Sequence, residues 1–488
     1  MDPVHIGCNV PVSLKHGSLD LSQDPLAPGA RSARSYHPAV QTPAGAPGGV
    51  FDPPLRNLTT GLMLSILLVA FQSMAIATVM PQAARELNGL SLYGWAFSAF
   101  FLGYMVSTVV LGSLADRDGP RRPLTIALVL LTAGLVLAAT AASMPVFVLG
   151  RALQGLGGGA IGSIAYLAVN RAYPPDRRAR VLALFSSAWI LPGLLGPVIA
   201  SALAAQFSWR AVFYSVLPFL AAVAVLTLPA LNLVPAGGTP FDRRRALDAA
   251  VAAVGAVITL AGLQQASAAA GAALLVAGLG LLVPALARLL PQGTFRLAGP
   301  LQGGMVVRFL LTFAFLGADS MVPLALTELR GFSTAASGVV LTVSAVFWSL
   351  GSALQARLDE RLQGRGRVGR VRFGFAMVAA SIGLLLAVVR LPALPPVAAG
   401  LAWAAGGLGM GFAFPAHTLV VFKHAPAGGE GRTSGSLQMG DVLGTALSAG
   451  LAGALVATLG TAAGLALAFT LTAAVSLLGL LVAGRLAD

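Results

Sequence analysis

The 488-residue chain contains one cysteine, Cys8, two lysines, Lys15 and Lys423, and only 17 acidic residues. A single cysteine excludes a disulfide framework and any cysteine-based metal centre, and neither metal nor cofactor is expected. Charged residues make up 10% of the chain, against roughly 25% in an ordinary soluble domain. The net charge of +14 would ordinarily suggest nucleic acid. That reading needs a basic face on a soluble fold, and the charges are too few to build one, so no nucleic-acid partner is expected. Catalytic sets are also missing: there is no His-Glu-x-x-His, no intramembrane aspartate pair and no Gly-x-Ser-x-Gly placed as a membrane-face nucleophile. A polytopic membrane enzyme is therefore disfavoured, although motifs alone leave a receptor-like role open.

What the chain has is apolar sequence, 57% of it. From about residue 57, apolar runs of roughly 20 residues recur, long enough for about 30 Å of hydrocarbon. Fourteen are expected, near 57–81, 92–114, 123–143, 146–171, 181–205, 210–234, 247–265, 270–290, 303–326, 334–356, 372–390, 395–422, 437–458 and 461–485. Backbone cannot face lipid unsatisfied, so these are helices and the fold class is all-α. Residues 1–55 are rich in Pro, Gly, Ser and Ala and read as a disordered cytoplasmic tail without a signal-peptide h-region.

The basic residues set the expected orientation. With the N-terminus inside, 25 of the 31 Lys and Arg fall on the cytoplasmic side, five fall on or near the outer side, and Arg308 lies within the ninth span. N-in, C-in topology in the cell (inner) membrane follows. Pro81-x4-Glu86-Leu87-x-Gly89-x-Ser91 ends the first span, and Pro323-x4-Glu328-Leu329-x-Gly331-x-Ser333 ends the ninth, at an offset of 242. This repeat divides the chain into a tail (1–55), a six-helix bundle (56–235), an inserted helix pair with its linkers (236–300) and a second six-helix bundle (301–488). Parallel halves with a midplane site between them are a transporter plan.

Three segments carry further signals. Gly112, Asp116, Arg117, Gly119, Arg121 and Arg122 lie in a short turn after the second span, where an acid can face a helix N-terminus and arginines can hold carboxylates or lipid phosphates. Span 4 opens with Arg151-Ala-Leu-Gln154-Gly155-Leu-Gly157-Gly158-Gly159, a cation on a face thin enough for close packing. Span 5 carries Gly193, Gly196 and Pro197, a small-residue face with a built-in kink.

In this order and on these spans, the three segments resemble the major facilitator superfamily, and especially its fourteen-span drug:proton antiporter branch. Residues 112–122 resemble its loop signature, 149–159 its span-4 signature and 193–197 its span-5 antiporter signature. Trp209-Arg210-x-Val-Phe213 adds to the likeness. The resemblance covers roughly residues 57–487. It implies the major facilitator fold and proton-coupled efflux of small amphiphilic or drug-like molecules, by a monomer. A dedicated exporter of one metabolite, siderophore or lipid, or a transporter without proton coupling, is the alternative.

The chain departs from the pattern in three places. Ala200-Ser201 stands where paired glycines usually end the span-5 motif. Gln72 stands where the branch commonly has a span-1 carboxylate. Gln355 stands in the second-half loop signature where the first half has Asp116.

Since Gln72 cannot carry a proton, other span residues become candidates. Asp319 lies about 16 Å along its helix from Arg308, and a mid-membrane Asp costs about 2.5–3.5 kcal/mol to insert. It is read either as a coupling or substrate group or as a structural hydrogen-bond partner. His417 is the only span histidine; imidazole titrates near neutrality, so it is read as a proton relay or as a capping group. Gln72, Arg151 and Gln154 are candidate cavity residues. Asp441 is expected as a helix-dipole acid opening span 13, and Glu86 and Glu328 at the outer interface. An aromatic cavity for an amphiphile would draw on Trp95, Tyr104, Trp189, Phe313, Trp348 and Trp403, with Phe97 and Phe101 nearby. Some of these are expected to face lipid or neighbouring helices instead.

Overall fold

The computed structural model describes residues 49–486 except 54, 266, 427 and 428. Most of the expected tail, 1–48, lies outside the described residues. Of its last stretch, Val50 is buried and its carbonyl accepts a hydrogen bond from Thr59.

Among the described residues the regular structure is entirely helical. The order is α1 (Arg56–Glu86), α2 (Tyr93–Asp118), α3 (Arg121–Ala139), α4 (Met144–Ala172), α5 (Pro175–Ser187), α6 (Ile190–Gln206), α7 (Trp209–Ala230), α8 (Arg243–Gly262), α9 (Ala268–Leu289), α10 (Pro300–Arg330), α11 (Thr334–Arg361), α12 (Arg367–Arg390), α13 (Val397–Lys423), α14 (Glu430–Leu459) and α15 (Thr461–Val482), with short 3-10 turns between some of them. With α5 and α6 taken as one span, fourteen segments are long and apolar enough to cross a membrane. The break between α5 and α6 falls at Ala188–Trp189, and Pro192 accounts for it. Proline offers no N–H to the carbonyl four residues back, and its ring collides with that carbonyl.

Two helix ends differ from expectation. Pro81 and Pro323 do not end their spans; α1 runs on to Glu86 and α10 to Arg330. Each proline removes one hydrogen bond from a helix that neighbours hold on several sides, and Pro81 and Pro323 are both buried. The extra turn carries Arg85 and Glu86 in α1, and Glu328 in α10, to the end of the bundle opposite the arginine-rich loops (hereafter the far end and the basic end).

Glycines set the closest helix crossings. A Cβ on Gly155 would lie 2.0 Å from the Phe100 carbonyl oxygen, and one on Gly159 would lie 2.1 Å from that of Tyr104. The same motif meets α3 through Gly150 and Gly157. Without side chains at these positions, α4 sinks between α2 and α3 at backbone contact, where dispersion and weak C–H···O contacts accumulate. In the later spans, Gly407 and Gly411 of α13 meet the backbone of α11 in the same way, at the Ser344 and Trp348 carbonyls.

The helix pair α8–α9 lies outside the repeat. Ala249, Ala252 and Ala256 of α8 share one apolar cluster with Leu102 and Met105 of α2 and with Val442 and Leu443 of α14. Leu260 sits in the notch left by Gly450, and Trp95 donates from Nε1 to Gln264 at 3.0 Å. The inserted pair therefore covers the α2–α14 seam.

Candidate functional site

Residues expected to line a cavity separate into a buried polar knot, a partly buried chain of rings and a cavity. The knot lies in the first six spans. Arg151 is 3% exposed; its Nε donates to the Ala96 carbonyl at 3.0 Å and its Nη1 to Gln154 Oε1 at 2.6 Å. Gln72 Nε2 donates to the same Gln154 oxygen at 2.9 Å, and Gln154 Nε2 donates to the Gly134 carbonyl at 3.0 Å. The Arg151 guanidinium also lies 4.4 Å from the Phe100 ring centroid. The knot ties α1, α2, α3 and α4 together, so Gln72, Arg151 and Gln154 sit in the packed interior. Among the described residues no carboxylate pairs with Arg151. One backbone carbonyl, an amide oxygen and an aromatic face carry the charge instead.

Two acids, Asp319 and Asp441, lie within the later spans. Asp319 of α10 accepts a hydrogen bond from Trp403 Nε1 at 2.7 Å and is half-buried. Trp403 stacks on Phe315, Phe315 meets Trp348 edge-on, and Trp348 meets Phe414. Arg308 lies 3.3 Å over the Phe414 ring, and its fork grips Asp441 through Nε–Oδ1 at 2.5 Å and Nη2–Oδ2 at 3.2 Å. Thr418 accepts a third bond from Arg308 at 3.1 Å. A continuous chain of ring contacts thus joins the two carboxylates. Asp441 does not open its span: α14 begins at Glu430, and Asp441 lies three turns inside as the partner of Arg308. The apolar run hid the true start, because the polar first turns of α14 extend beyond it.

His417 is fully buried and its Nε2 donates to the Gly304 carbonyl at 2.8 Å, pinning α13 to α10. Its Nδ1, then an acceptor, is buried without a hydrogen-bond partner.

Tyr104 and Trp189 line a cavity of about 160 Å³ together with Ile66, Val69, Gly162, Tyr166, Phe185 and Gln438. Its walls come from α1, α2, α4, α5, the α5–α6 break and α14. None of these side chains is charged. Gln438 Nε2 donates to the Tyr104 hydroxyl at 3.3 Å, and Tyr166 packs edge-on against Phe185. Tyr166, Phe185 and Gln438 escaped the sequence reading. Gln438 was recoverable, as a lone amide in an apolar span; Tyr166 was recoverable from its spacing of four from Gly162 on one helix face. The remaining aromatic candidates lie elsewhere. Trp95 reaches Gln264, Phe313 packs on Phe309, Phe97 is buried beside Tyr93, and Phe101 packs on Phe100. Trp348 and Trp403 belong to the chain of rings, Trp403 buried and Trp348 partly so.

At the basic end, Arg171 Nη2 meets Asp116 Oδ1 at 2.9 Å. The linker to α8 docks there, with Gly237 N–H on the Asp116 carbonyl and Gly238 N–H on that of Arg117. Gly119 takes φ +90° at the turn, Arg117 pairs with Asp118 at 3.1 Å, and Arg121 donates to Asn232 at 2.9 Å. Arg122 lines an open notch beside Arg121, and Gly112 lies in ordinary contact with Ser163. In the second half, Gln355 is buried and the acid's part passes one turn on to Asp359, which pairs with Arg367 at 2.6 Å and Arg370 at 2.5 Å. The span-5 motif sits at helix crossings: Cβ atoms on Gly193 and Gly196 would each lie 3.3 Å from the Cβ of Ala345 and Met74, and Pro197 abuts Gly338.

At the far end the repeated glutamates have diverged. Glu86 binds Arg210 and accepts from Trp209 Nε1 at 2.7 Å, within the first half. Glu328 reaches across to Arg85 at 2.8 Å. Tyr93 to the Ser320 carbonyl at 3.2 Å and Ser98 to that of Ala446 at 2.7 Å also join the two sets of spans.

Comparison with known proteins agrees with this architecture. The family model described as Major Facilitator Superfamily matches residues 62–449. A Mycobacterium tuberculosis protein named as a probable multidrug-efflux transporter is 28% identical over 445 residues, covering 86% of this chain and 93% of that protein. The multidrug transporter protein MdtP of Bacillus subtilis is 25% identical over 375 residues, covering 75% and 68% respectively. Among solved structures, a POT family transporter bound to a thioalcohol-conjugated peptide superposes with TM-score 0.68 at 15% identity, over 88% of this chain and 96% of that one. The human organic anion transporter MFSD10 gives 0.58 at 17% identity, over 88% and 100%. These likenesses to solved structures carry the fold alone. Fourteen spans fit the superfamily's drug:proton antiporter branch, and the chain, a multi-pass transporter of the inner (cell) membrane, belongs to the major facilitator superfamily.

Proposed function

We propose that the chain exports small amphiphilic or drug-like organic molecules in exchange for protons, as a monomer whose two halves (56–235 and 301–488) rock about the cavity between them. The observation that carries this reading is the cavity lining, four aromatic rings and an amide without a charge. Such a wall holds apolar and amphiphilic molecules by dispersion and stacking and fixes orientation through few polar groups. The relatives named as multidrug transporters support the same substrate class. The arginines of the basic end support a cytoplasmic position for it and suit anionic lipid headgroups.

Asp319 is the coupling group in this scheme. A carboxyl held by the Trp403 N–H accepts a hydrogen bond in either protonation state and can trade its proton without losing its partner. His417 takes no part in this path; it serves as an anchor between α13 and α10. In inverted vesicles the purified chain should lower the membrane fluorescence of Hoechst 33342 when a pH gradient is imposed, and an uncoupler should abolish the effect. Asp319→Asn should abolish the pH-driven component while inserting normally; an unchanged rate would remove Asp319 from the coupling path. The second reading, transport without protons or of one dedicated compound, is favoured by Gln72, which puts an amide in the span-1 carboxylate position. Uncoupler-insensitive transport, or a dye and antibiotic screen in which nothing moves, would select it.

A further inference from the structure

The cavity has few polar groups, and the protein satisfies them incompletely. Tyr104 of α2, Tyr166 of α4 and Gln438 of α14 supply the polar side-chain groups of its wall apart from the Trp189 indole. Gln438 Nε2 donates to the Tyr104 hydroxyl at 3.3 Å. That is long for an N–H···O bond, usually about 2.9–3.0 Å, and the buried amide Gln154 bonds at 2.6, 2.9 and 3.0 Å. Among the described residues, no protein group bonds Gln438 Oε1, the second Gln438 N–H or either tyrosine O–H. These open positions share the cavity with Ile66, Val69, Phe185 and Trp189. A Cβ on Gly162 would lie 3.3 Å from the Tyr104 hydroxyl and 3.9 Å from Gln438 Nε2. The glycine therefore leaves one flank of the Tyr104–Gln438 bond open to a flat molecule.

The same bond crosses between the halves. Contacts between α2 and α14 run from Gly94 against Gly453, through Ser98 on the Ala446 carbonyl at 2.7 Å, to Tyr104 and Gln438. The first two involve backbone, which cannot turn aside. The third joins two side chains on rotatable bonds beside the cavity, so it is the contact that a ligand can take over.

We propose that Gln438 is the specificity-determining residue of the cavity, and that its amide exchanges the Tyr104 hydroxyl for a neutral edge on the substrate carrying a C=O and an N–H side by side. A carboxamide donates from Nε2 and accepts at Oε1, so it meets such an edge through two bonds. The exchange replaces one long bond by two ordinary ones, while Tyr166, Phe185 and Trp189 hold the attached ring by dispersion and stacking. The substrate class is then aromatic carboxamides, lactams and imides, narrower than amphiphiles in general. This inference rests on the efflux reading above. Drawing Gln438 away also cuts the α2–α14 contact nearest the basic end, so recognition loosens the halves at the cavity while the backbone contacts toward the far end persist.

The test uses the full chain in inverted vesicles, with two competitors of pH-driven Hoechst 33342 efflux. Naphthalene-2-carboxamide carries the full edge; 2-acetylnaphthalene keeps the C=O and lacks the N–H. Each concentration is corrected for partition into the lipid. The carboxamide should compete about tenfold better in the parent. Gln438→Met should bring the two within about twofold of each other, with both still competing. Tyr104→Phe frees the amide from its internal partner, so the carboxamide should compete about threefold better than in the parent and stay preferred. No preference in the parent, a preference that survives Gln438→Met, or one lost in Tyr104→Phe overturns the inference, while efflux by the parent keeps the transport reading. Tyr104→Phe leaves Gln438 in place and decides the question even where Gln438→Met fails to insert. No energised Hoechst movement by the parent overturns the transport reading and the inference with it.

Discussion

Arg151 shows how one residue's position can be read and its surroundings missed. Its place at the start of the span-4 motif was legible, and so was Gln72 in the position of a carboxylate. What the sequence left open was that Gln154 Oε1 accepts from both at once. Gln72→Glu tests the consequence. A carboxylate there has no N–H for Gln154 Oε1, so the introduced group keeps that bond only when it carries a proton. The variant should acquire a pH-dependent step in dye efflux that the parent lacks, read from initial rates across a pH series at fixed membrane potential. An unaltered pH profile would show that this knot does not communicate with transport. Asp441 illustrates the reverse case: as an isolated acid near a span start it reads as a dipole partner, and only the approach of α10 to α14 supplies Arg308. Arg308 is buried and Asp441 only partly so, and removing the acid would leave a buried cation unpaired, so the pair also holds these two helices together.

Among the helices, glycine placement decides which ones touch. Glycine at 155, 157 and 159 announces a thin face, yet the sequence does not say which neighbour each one meets. The geometry divides them, with Gly155 and Gly159 on α2 and Gly157 on α3. Gly155→Ala should therefore destabilise the detergent-solubilised protein by about 1–3 kcal/mol, since the added methyl lands on backbone that cannot rotate away. Gly383→Ala on α12, where nothing lies within 4 Å, should leave the melting temperature unchanged. Equal melting shifts in a thermal-stability assay would refute the assignment. The Pro81 and Pro323 helices carry a related lesson. A proline is a sound stop signal for an isolated helix, but packed neighbours can outweigh one missing hydrogen bond.

Across the whole molecule, the two sets of spans are joined at the far end by Arg85–Glu328, Tyr93–Ser320 and Ser98–Ala446, and the cavity lies toward the basic end. The ion pair is partly exposed, with Arg85 46% and Glu328 23% exposed, so it is worth about 1 kcal/mol. Breaking it with Glu328→Gln should shift the conformational balance up to about fivefold toward an open far end. Spin labels on α1 and α10 at that end, read by pulsed distance measurement, should then gain a longer-distance population. An unchanged distribution would mean that the backbone-directed bonds alone hold the far end shut. The internal repeat is visible in sequence as Glu86 and Glu328, but the two glutamates bind different partners, one within its half and one across. Identical local patterns therefore diverge once neighbours differ.

The sequence alone determined that the chain crosses a membrane fourteen times as helices, because span length and the cost of unsatisfied backbone in lipid are local properties. Motif order was sufficient to point to the superfamily. Only the tertiary structure decided which polar residues are buried in knots and which line the cavity, and that α8 covers the α2–α14 seam. Apolar helices with small moments have no strongly marked inner face, so which side of each meets a neighbour, a cavity or lipid depends on packing across spans far apart in the chain.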